Sequence, residues 1–382
     1  MITASPDVLV IGGGIVGMTA AYAAVRTGAS VVVVDRADQG QATAAGAGII
    51  SPGTSFRLTD EMLALSRSAV DFYPRLLDWL AEHGETNTGY ATPGVLFLFM
   101  NDVEFERAAE MDAFARSRNA AGVRNIGEIT MIDSGEARRL FPPLADVTGA
   151  LHLTGASRVD GRLMRDSLRT ALIKRGGTVV DGAAALHREG SGISRVSAGN
   201  RTFTPGAVIV SGGAWTPEVA KQIGTDLAIY PQRGQILHFD VPGSRTTDWP
   251  ILHGLSNHYL LTFPESRVVA GATREDDSGF AYAQTAAGVH SQLTEALRVA
   301  PGLGTATLRE VRIGFRPASR DTKPFLGAIP GLDNAWVASG HGPSGLQLGP
   351  VSGAAVARLA LNQDAGIDLA PFDPARPIAL TG

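Results

Sequence analysis

Three glycines at positions 12, 14 and 17, followed by a carboxylate at Asp35, have the clearest chemical spacing in this 382-residue chain. Gly12 permits a tight turn. Gly14 removes the side chain that would hold a backbone away from a pyrophosphate, and Gly17 lets a helix pack closely on a strand. The helix that follows turns free N–H groups and partial positive charge toward phosphate oxygens, and Ile15 and Val16, inside the fingerprint, are further cofactor-binding candidates. Asp35 lies 18 residues beyond Gly17, where a carboxylate accepts hydrogen bonds from a ribose, and Arg36 stands beside it. A second glycine-rich stretch, Gly340-His341-Gly342-Pro343-Ser344-Gly345-Leu346-Gln347, supplies another set of N–H groups able to stabilise negative charge on a bound ring. It is not a nucleophile elbow: with Ser344 central, that motif needs a glycine where Leu346 stands.

The elements that must position these residues are legible around them. Residues 8–11 (Val-Leu-Val-Ile) read as a buried parallel strand, 18–27 as an Ala-rich helix ending at Gly28, and 30–34 as a second strand. Together they make a complete βαβ dinucleotide-binding unit. The fingerprint alone does not separate FAD from NAD. The sequel favours FAD: 41–50 is a run of small residues in which Thr43, Ala44, Ala47, Gly48 and Ile49 let main chain lie against a large flat ring. Near the other end, a strand over 335–339 leads through the second glycine stretch into a helix over 348–361.

Composition bounds the rest. Hydrophobic residues are 44% and charged residues 18%, as in a globular protein with a large core. Gly numbers 46, against roughly 27 expected at about 7%, which implies many tight turns and close backbone approaches. The net charge of −4 offers no basic field for nucleic acid or an anionic membrane. With no cysteine, disulfides, cysteine-ligated zinc, iron–sulfur clusters, a cysteine nucleophile and a flavin tethered through cysteine are all excluded. No metal-ligand pattern stands out. No basic region precedes the first apolar run, and Gly12 breaks that run, so neither a signal peptide nor a membrane span is expected. A cytoplasmic location is the expectation.

The motifs in order resemble the D-amino-acid oxidase family of flavoenzymes, which includes glycine oxidase, sarcosine oxidase and D-amino-acid dehydrogenases. The resemblance runs from the opening fingerprint and residues 43–50 through Ala207-Val208-Ile209-Val210-Ser211-Gly212-Gly213-Ala214-Trp215, Pro231-Gln232-Arg233-Gly234-Gln235 and Gly271-Ala272-Thr273-Arg274-Glu275. It closes on Gly314-Phe315-Arg316-Pro317 and the Gly340-His341-Gly342 segment. It implies an α/β chain of two interleaved domains. A Rossmann-like FAD domain takes 1–55, 145–225 and 315–382; an antiparallel-sheet substrate domain takes 56–144 and 226–314. It further implies oxidation of the C–N bond of a small amino acid or amine by hydride transfer to flavin N5, with the imine hydrolysing in water. Oxygen, a quinone or another carrier takes the electrons.

By the same resemblance Arg316 grips a substrate carboxylate, Tyr259 faces the substrate and His341 contacts the flavin or shapes the pocket floor; His253 is a weaker candidate. Gly213, Gly340, His341, Gly342, Ser344, Gly345, Leu346 and Gln347 face the flavin, and Ala185 matches the position that touches adenine through backbone. Two positions depart from the family. Pro343 stands where glycine oxidases carry a second arginine, and Val269 where sarcosine oxidases carry an oxygen-activating lysine. Three other readings stay open: a tailoring flavoenzyme acting on a cyclic imino acid or larger amine, a non-catalytic flavin- or nucleotide-binding protein, and a nicotinamide dehydrogenase. Leu63, Val70, Leu77 and Leu80, and Phe105, Met111 and Phe114, fall at helical spacing and read as core. Residues 189–192 and 242–247 read as surface loops. Substrate, chirality, acceptor and whether the chain forms a homo-oligomer stay open in the sequence.

Overall fold

The computed structural model describes residues 2–52, 58–254 and 258–378. The apolar runs that end in glycine assemble into one six-stranded sheet. Its order is Phe325–Ala328, Ala335–Ser339, Ala207–Val210, Val8–Ile11, Val31–Asp35, Thr178–Asp181. Phe325–Ala328 is antiparallel; the other neighbours are parallel. The central strands are buried on both faces, which is why they read as unbroken apolar runs. Their side chains divide by the two-residue period. Val8, Val10, Val31, Val33 and Ile209 enter the core under the helices; Leu9, Ile11, Val32, Val34 and Val208 enter the core on the opposite face. A four-stranded sheet covers that opposite face: Ile2–Ala4, Arg201–Phe203, Gly192–Ala198 and Ala184–Glu189.

The helix over the fingerprint spans Ile15–Arg26, starting earlier than the sequence reading because Gly14 is its N-cap. It crosses the helix Gly345–Ala360 at glycine: a Cβ on Gly353 would sit 2.3 Å from the Val16 carbonyl oxygen. Such contact needs a residue without a side chain.

The second half is an eight-stranded sheet: Thr307–Ser319, Ile229–Asp240, Arg267–Gly271, Tyr259–Phe263, Ile251–His253, Val95–Phe99, Gly149–Leu153, Ile129–Ile132. Its neighbours are antiparallel except Ile251–His253 with Val95–Phe99.

Two segments lie elsewhere than the sequence placed them. Gly149–Leu153, expected with the FAD half, forms a ladder with Val95–Phe99 and Ile129–Ile132. The helix Asp60–Ala81, expected with the substrate half, buries Met62, Leu65, Val70, Phe72, Tyr73, Leu76 and Leu80 in the core under the parallel sheet. Leu63 and Leu77 lie at the edge of that buried stripe. Met111 is buried in the helix Ala108–Ala120, whereas Phe105 is 38% exposed. Gly190 turns the 189–192 hairpin; in 242–247, Thr246 is buried and donates to the Phe263 carbonyl.

Candidate functional site

Where the two sheets meet, a cavity of about 320 Å³ runs between them. Its parallel-sheet wall is the fingerprint. Gly12 has φ +108°, and a Cβ there would meet the Ser211 carbonyl oxygen at 2.4 Å. Gly12, Gly14, Ile15 and Val16 line the cavity; Gly17 does not. Gly17 is packed behind the turn, where a Cβ would lie 2.0 Å from the Gly12 carbonyl oxygen. That is the helix-on-strand role expected of it. The first turn of the helix holds no acidic residue, and the Ile15 amide donates to Thr43 Oγ1 at 3.0 Å. Asp35 and Arg36 both line the cavity. Gln41 Nε2 donates to the Asp35 carboxylate at 3.2 Å, while Arg36 pairs with Asp38 and with Glu218.

Thr43, Ala47, Gly48 and Ile49 line the cavity as well, and Ala44 does not. The Ala44 carbonyl, near the end of the short helix Ala42–Ala45, accepts from Arg162 Nε at 3.0 Å and faces that cation instead. Small residues are needed here on both sides of the backbone. A Cβ on Gly46 would meet Leu346 at 2.6 Å, and Gly48 at φ +88° would meet the Val159 carbonyl oxygen at 1.9 Å. The sequence reading attributed this run to the cofactor alone.

The far end is closed by the second glycine stretch. Gly213, His341, Gly342, Gly345, Leu346 and Gln347 line the cavity; Gly340 and Ser344 do not. Gly340, at φ +80°, turns the chain over Phe325, and Ser344 is the N-cap of the helix Gly345–Ala360. Ala185 also misses the cavity. It lies exposed in the strand Ala184–Glu189, whereas Gly182, Ala183 and Ala184 line the cavity. Tyr73 anchors the glycine stretch by donating its hydroxyl to the Leu346 carbonyl.

The antiparallel sheet supplies the opposite wall. Tyr259, first residue of its strand, stands over Gly271, where a Cβ would be 2.9 Å from the phenol oxygen. Burial holds the Tyr259 phenol above its usual range, against the opposing pull of Arg316 and Arg274. Gly234 lies opposite Gly314 in the ladder, and the Arg316 guanidinium lies over it, with Nη1 and Nη2 each 2.7 Å from where a Cβ would stand. Arg316 donates from Nη1 to the Thr273 carbonyl at 3.0 Å and to Gln232 Oε1 at 3.4 Å. Burial pulls its pKa below the usual arginine range, the expected response of a cation short of counter-charge. Among the described residues it has no carboxylate partner. Arg274 lines the same wall. Its signal in the sequence is a cation just beyond the apolar strand Arg267–Gly271. All acids lining the cavity, Asp35, Asp38 and Glu218, lie on the parallel-sheet side.

His341 is buried, and both its ring nitrogens lack a hydrogen-bond partner among the described residues. Burial pushes its pKa down to about 4, so the imidazole is neutral. An orphaned polar group facing a cavity calls for a ligand's polar atoms or water. His253 does not line the cavity; it stacks on Phe97 at 5.6 Å. Val269 is buried outside the main cavity, and Pro343 lines it. Among the described residues there is no cluster of His, Cys, Asp and Glu that could hold a metal ion, and no helix is long and apolar enough to cross a membrane.

The cavity suits FAD. Glycine-walled backbone and an acid-free helix N-terminus face the phosphate region, a carboxylate stands near the ribose region, and an orphaned imidazole marks the far end. The comparisons agree. Residues 7–359 match the model of the DAO family, described as FAD dependent oxidoreductase. An uncharacterized oxidoreductase of Bacillus subtilis (strain 168), YurR, is 39% identical over 97% of this chain and 99% of its own length. Iminodiacetate oxidase from Chelativorans sp. BNC1 superposes with a TM-score of 0.92 at 36% identity, covering 97% of this chain and 100% of that one. Glycine oxidase of Geobacillus kaustophilus (strain HTA426) is 26% identical over 98% of both chains. With the family model spanning nearly the whole chain around this cavity, the protein belongs to the DAO family of FAD-dependent oxidoreductases.

Proposed function

We propose that this enzyme oxidises the C–N bond of a small amino acid or N-carboxymethyl amine, with the substrate carboxylate held by Arg316. One observation carries the reading: a half-buried guanidinium in the cavity wall without a carboxylate partner among the described residues. A cation drawn partly out of water gains from an opposite charge, so the site favours an anion. Arg274 adds a second positive charge on the same wall. The similarity to iminodiacetate oxidase and glycine oxidase supports a substrate bearing both an amine and a carboxylate.

The chemistry a bound FAD would supply is acceptance of a hydride from the substrate carbon that carries nitrogen. Gly12, Gly14, Ile15 and Val16 would hold its pyrophosphate, Asp35 its ribose, Ala183 and Ala184 its adenine end. The 43–49 and 341–347 backbones would enclose its ring. Arg316 orients the substrate by its carboxylate, bidentately where geometry allows. Tyr259, kept protonated by burial, donates a hydrogen bond to the bound anion. His341, neutral, offers one donor and one acceptor at the end of the cavity.

The test is anaerobic. The purified protein is mixed with glycine, sarcosine, iminodiacetate, proline and D-amino acids while the flavin absorbance is followed. Bleaching by an amino acid, and none by the same amine without its carboxylate, is the expected result; readmitting air then separates oxidase from dehydrogenase. Bleaching by carboxylate-free amines at equal rates would overturn the assignment of Arg316.

A further inference from the structure

We propose that Glu275 is a positioning residue that fixes both arginines of the substrate wall, with residues 273–275 acting as one unit. The inference rests on the carboxylate reading of Arg316 and Arg274 given above.

The three residues divide the work by direction. Thr273 Oγ1 donates to Glu275 Oε1 at 2.7 Å, so these two side chains lie on one side of the segment. In extended backbone successive side chains alternate. Arg274 is thereby turned to the other side, where it lines the cavity. The Thr273 carbonyl meanwhile receives Arg316 Nη1. One short segment thus aims one arginine by parity and holds the other by its backbone.

Glu275 is what keeps the segment in register. Its Oε1 also accepts from Gln235 Nε2 at 2.8 Å, and its Oε2 from Arg233 Nη2 at 2.6 Å and Nε at 3.1 Å. Main chain repeats the link: Arg233 and Glu275 exchange both N–H···O bonds at 3.0 Å, and Thr273 N donates to the Gln235 carbonyl at 3.2 Å. Arg233 and Gln235 occupy the face of the strand Ile229–Asp240 opposite Gly234, which lies under the Arg316 guanidinium. The network continues outward. Arg233 Nη1 holds the Ala281 carbonyl at 2.8 Å, and Gln235 Nε2 donates to Thr285 Oγ1, the cap of the helix Ala286–Val299. Burial pushes the Glu275 carboxyl up, but its hydrogen bonds from Arg233, Gln235 and Thr273 outweigh this and hold it below the usual range. Glu275 does not line the cavity; besides its charge acting on Arg316 across space, its effect passes through Arg274 and Thr273.

The test uses the holoenzyme and acetate as the carboxylate probe, with binding read from perturbation of the flavin absorbance. Glu275→Gln is expected to weaken acetate tenfold or more while FAD content and the spectrum of the unliganded protein stay unchanged. In a double-mutant cycle with Arg274→Ala, the two losses are expected to overlap, the pair costing little more than the larger single loss. Full additivity would mean that Glu275 acts on acetate binding independently of Arg274 and would overturn the claim that it fixes that arginine. Acetate binding within twofold of wild type in Glu275→Gln, alongside a clear loss in Arg316→Ala, overturns the positioning role and leaves the carboxylate reading standing. Unchanged acetate binding in Arg316→Ala overturns both. Should Glu275→Gln fail to fold, Thr273→Val, which removes one donor to the carboxylate at nearly constant volume, is expected to weaken acetate about threefold, and no change in it refutes the role.

Discussion

Arg316 is anchored to protein through a carbonyl and an amide oxygen, leaving its charge for a ligand. Arg316→Ala should raise KM for a carboxylate substrate by a loss on the order of 1.5–3 kcal/mol, the range for a charged hydrogen bond. Steady-state kinetics measures it, and unchanged KM removes Arg316 from the site. Buried imidazoles give a second expectation. Burial, with Arg312 adding to it, drives the His238 pKa to about 3, and burial alone puts His341 near 4. Both are neutral when folded and protonate below about pH 6.5 once unfolded. The unfolded chain therefore binds more protons between roughly pH 4 and 6.5, and stability falls as pH falls through that window. At pH 5 the His238 share is on the order of 2 kcal/mol relative to pH 8. Urea denaturation at pH 8, 6 and 5 should show this loss, with a shallower slope in His238→Gln; parallel slopes would contradict it.

At the scale of elements, glycine sets how closely backbone approaches backbone and ligand. Gly14→Val should abolish FAD retention, because a branched side chain at the helix start keeps the pyrophosphate from the N–H groups. The variant would purify colourless; normal yellow protein would refute the fingerprint assignment. Thr43 Oγ1 stands 3.1 Å from the position of a Cβ at Gly14, so that side chain must shift by a few tenths of an ångström to admit one. Gly17 and Gly353 differ: a Cβ at either would collide with backbone oxygen, at 2.0 and 2.3 Å, so substitution there strikes folding first.

Across the whole molecule, the two halves are pinned beside the cavity by an ion pair. Asp160 caps the helix Gly161–Lys174 through the Arg162 and Leu163 amides, and its other oxygen takes Arg267 Nη2 at 2.5 Å from the antiparallel sheet. Both side chains are largely buried, and Arg267 also lies over Phe263. Arg267→Met leaves Asp160 buried with its charge unpaired and should cost about 3–5 kcal/mol, read as a lower midpoint in chemical denaturation. A loss below about 1 kcal/mol would show that the pair behaves like an exposed surface bridge.

The dinucleotide wall was written in contiguous residues. A strand, three spaced glycines, a helix and an acid fall within residues 8–35, and local geometry alone brings them together. The same locality marks residues 43–49 and the 340–347 junction in the sequence; most of them line the cavity, and Ala44, Gly340 and Ser344 do not. A turn's direction depends on what packs behind it, here Arg162 and Phe325. The sequence could not place Gly149–Leu153, because strand pairing is decided by partners some fifty residues away. Nor could it place the helix Asp60–Ala81, whose apolar face fits either half until the parallel sheet claims it. Ala185 was off by one or two residues, because the parity of a strand is set by its neighbours in the sheet. The sequence by itself determined the cofactor and the presence of Arg316. Only the tertiary structure decided that Arg316, Tyr259 and Arg274 share one wall and that Glu275 stands behind them, because these residues lie on two separate strands and a connecting segment. Their meeting depends on the register of antiparallel ladders that no single stretch of chain encodes.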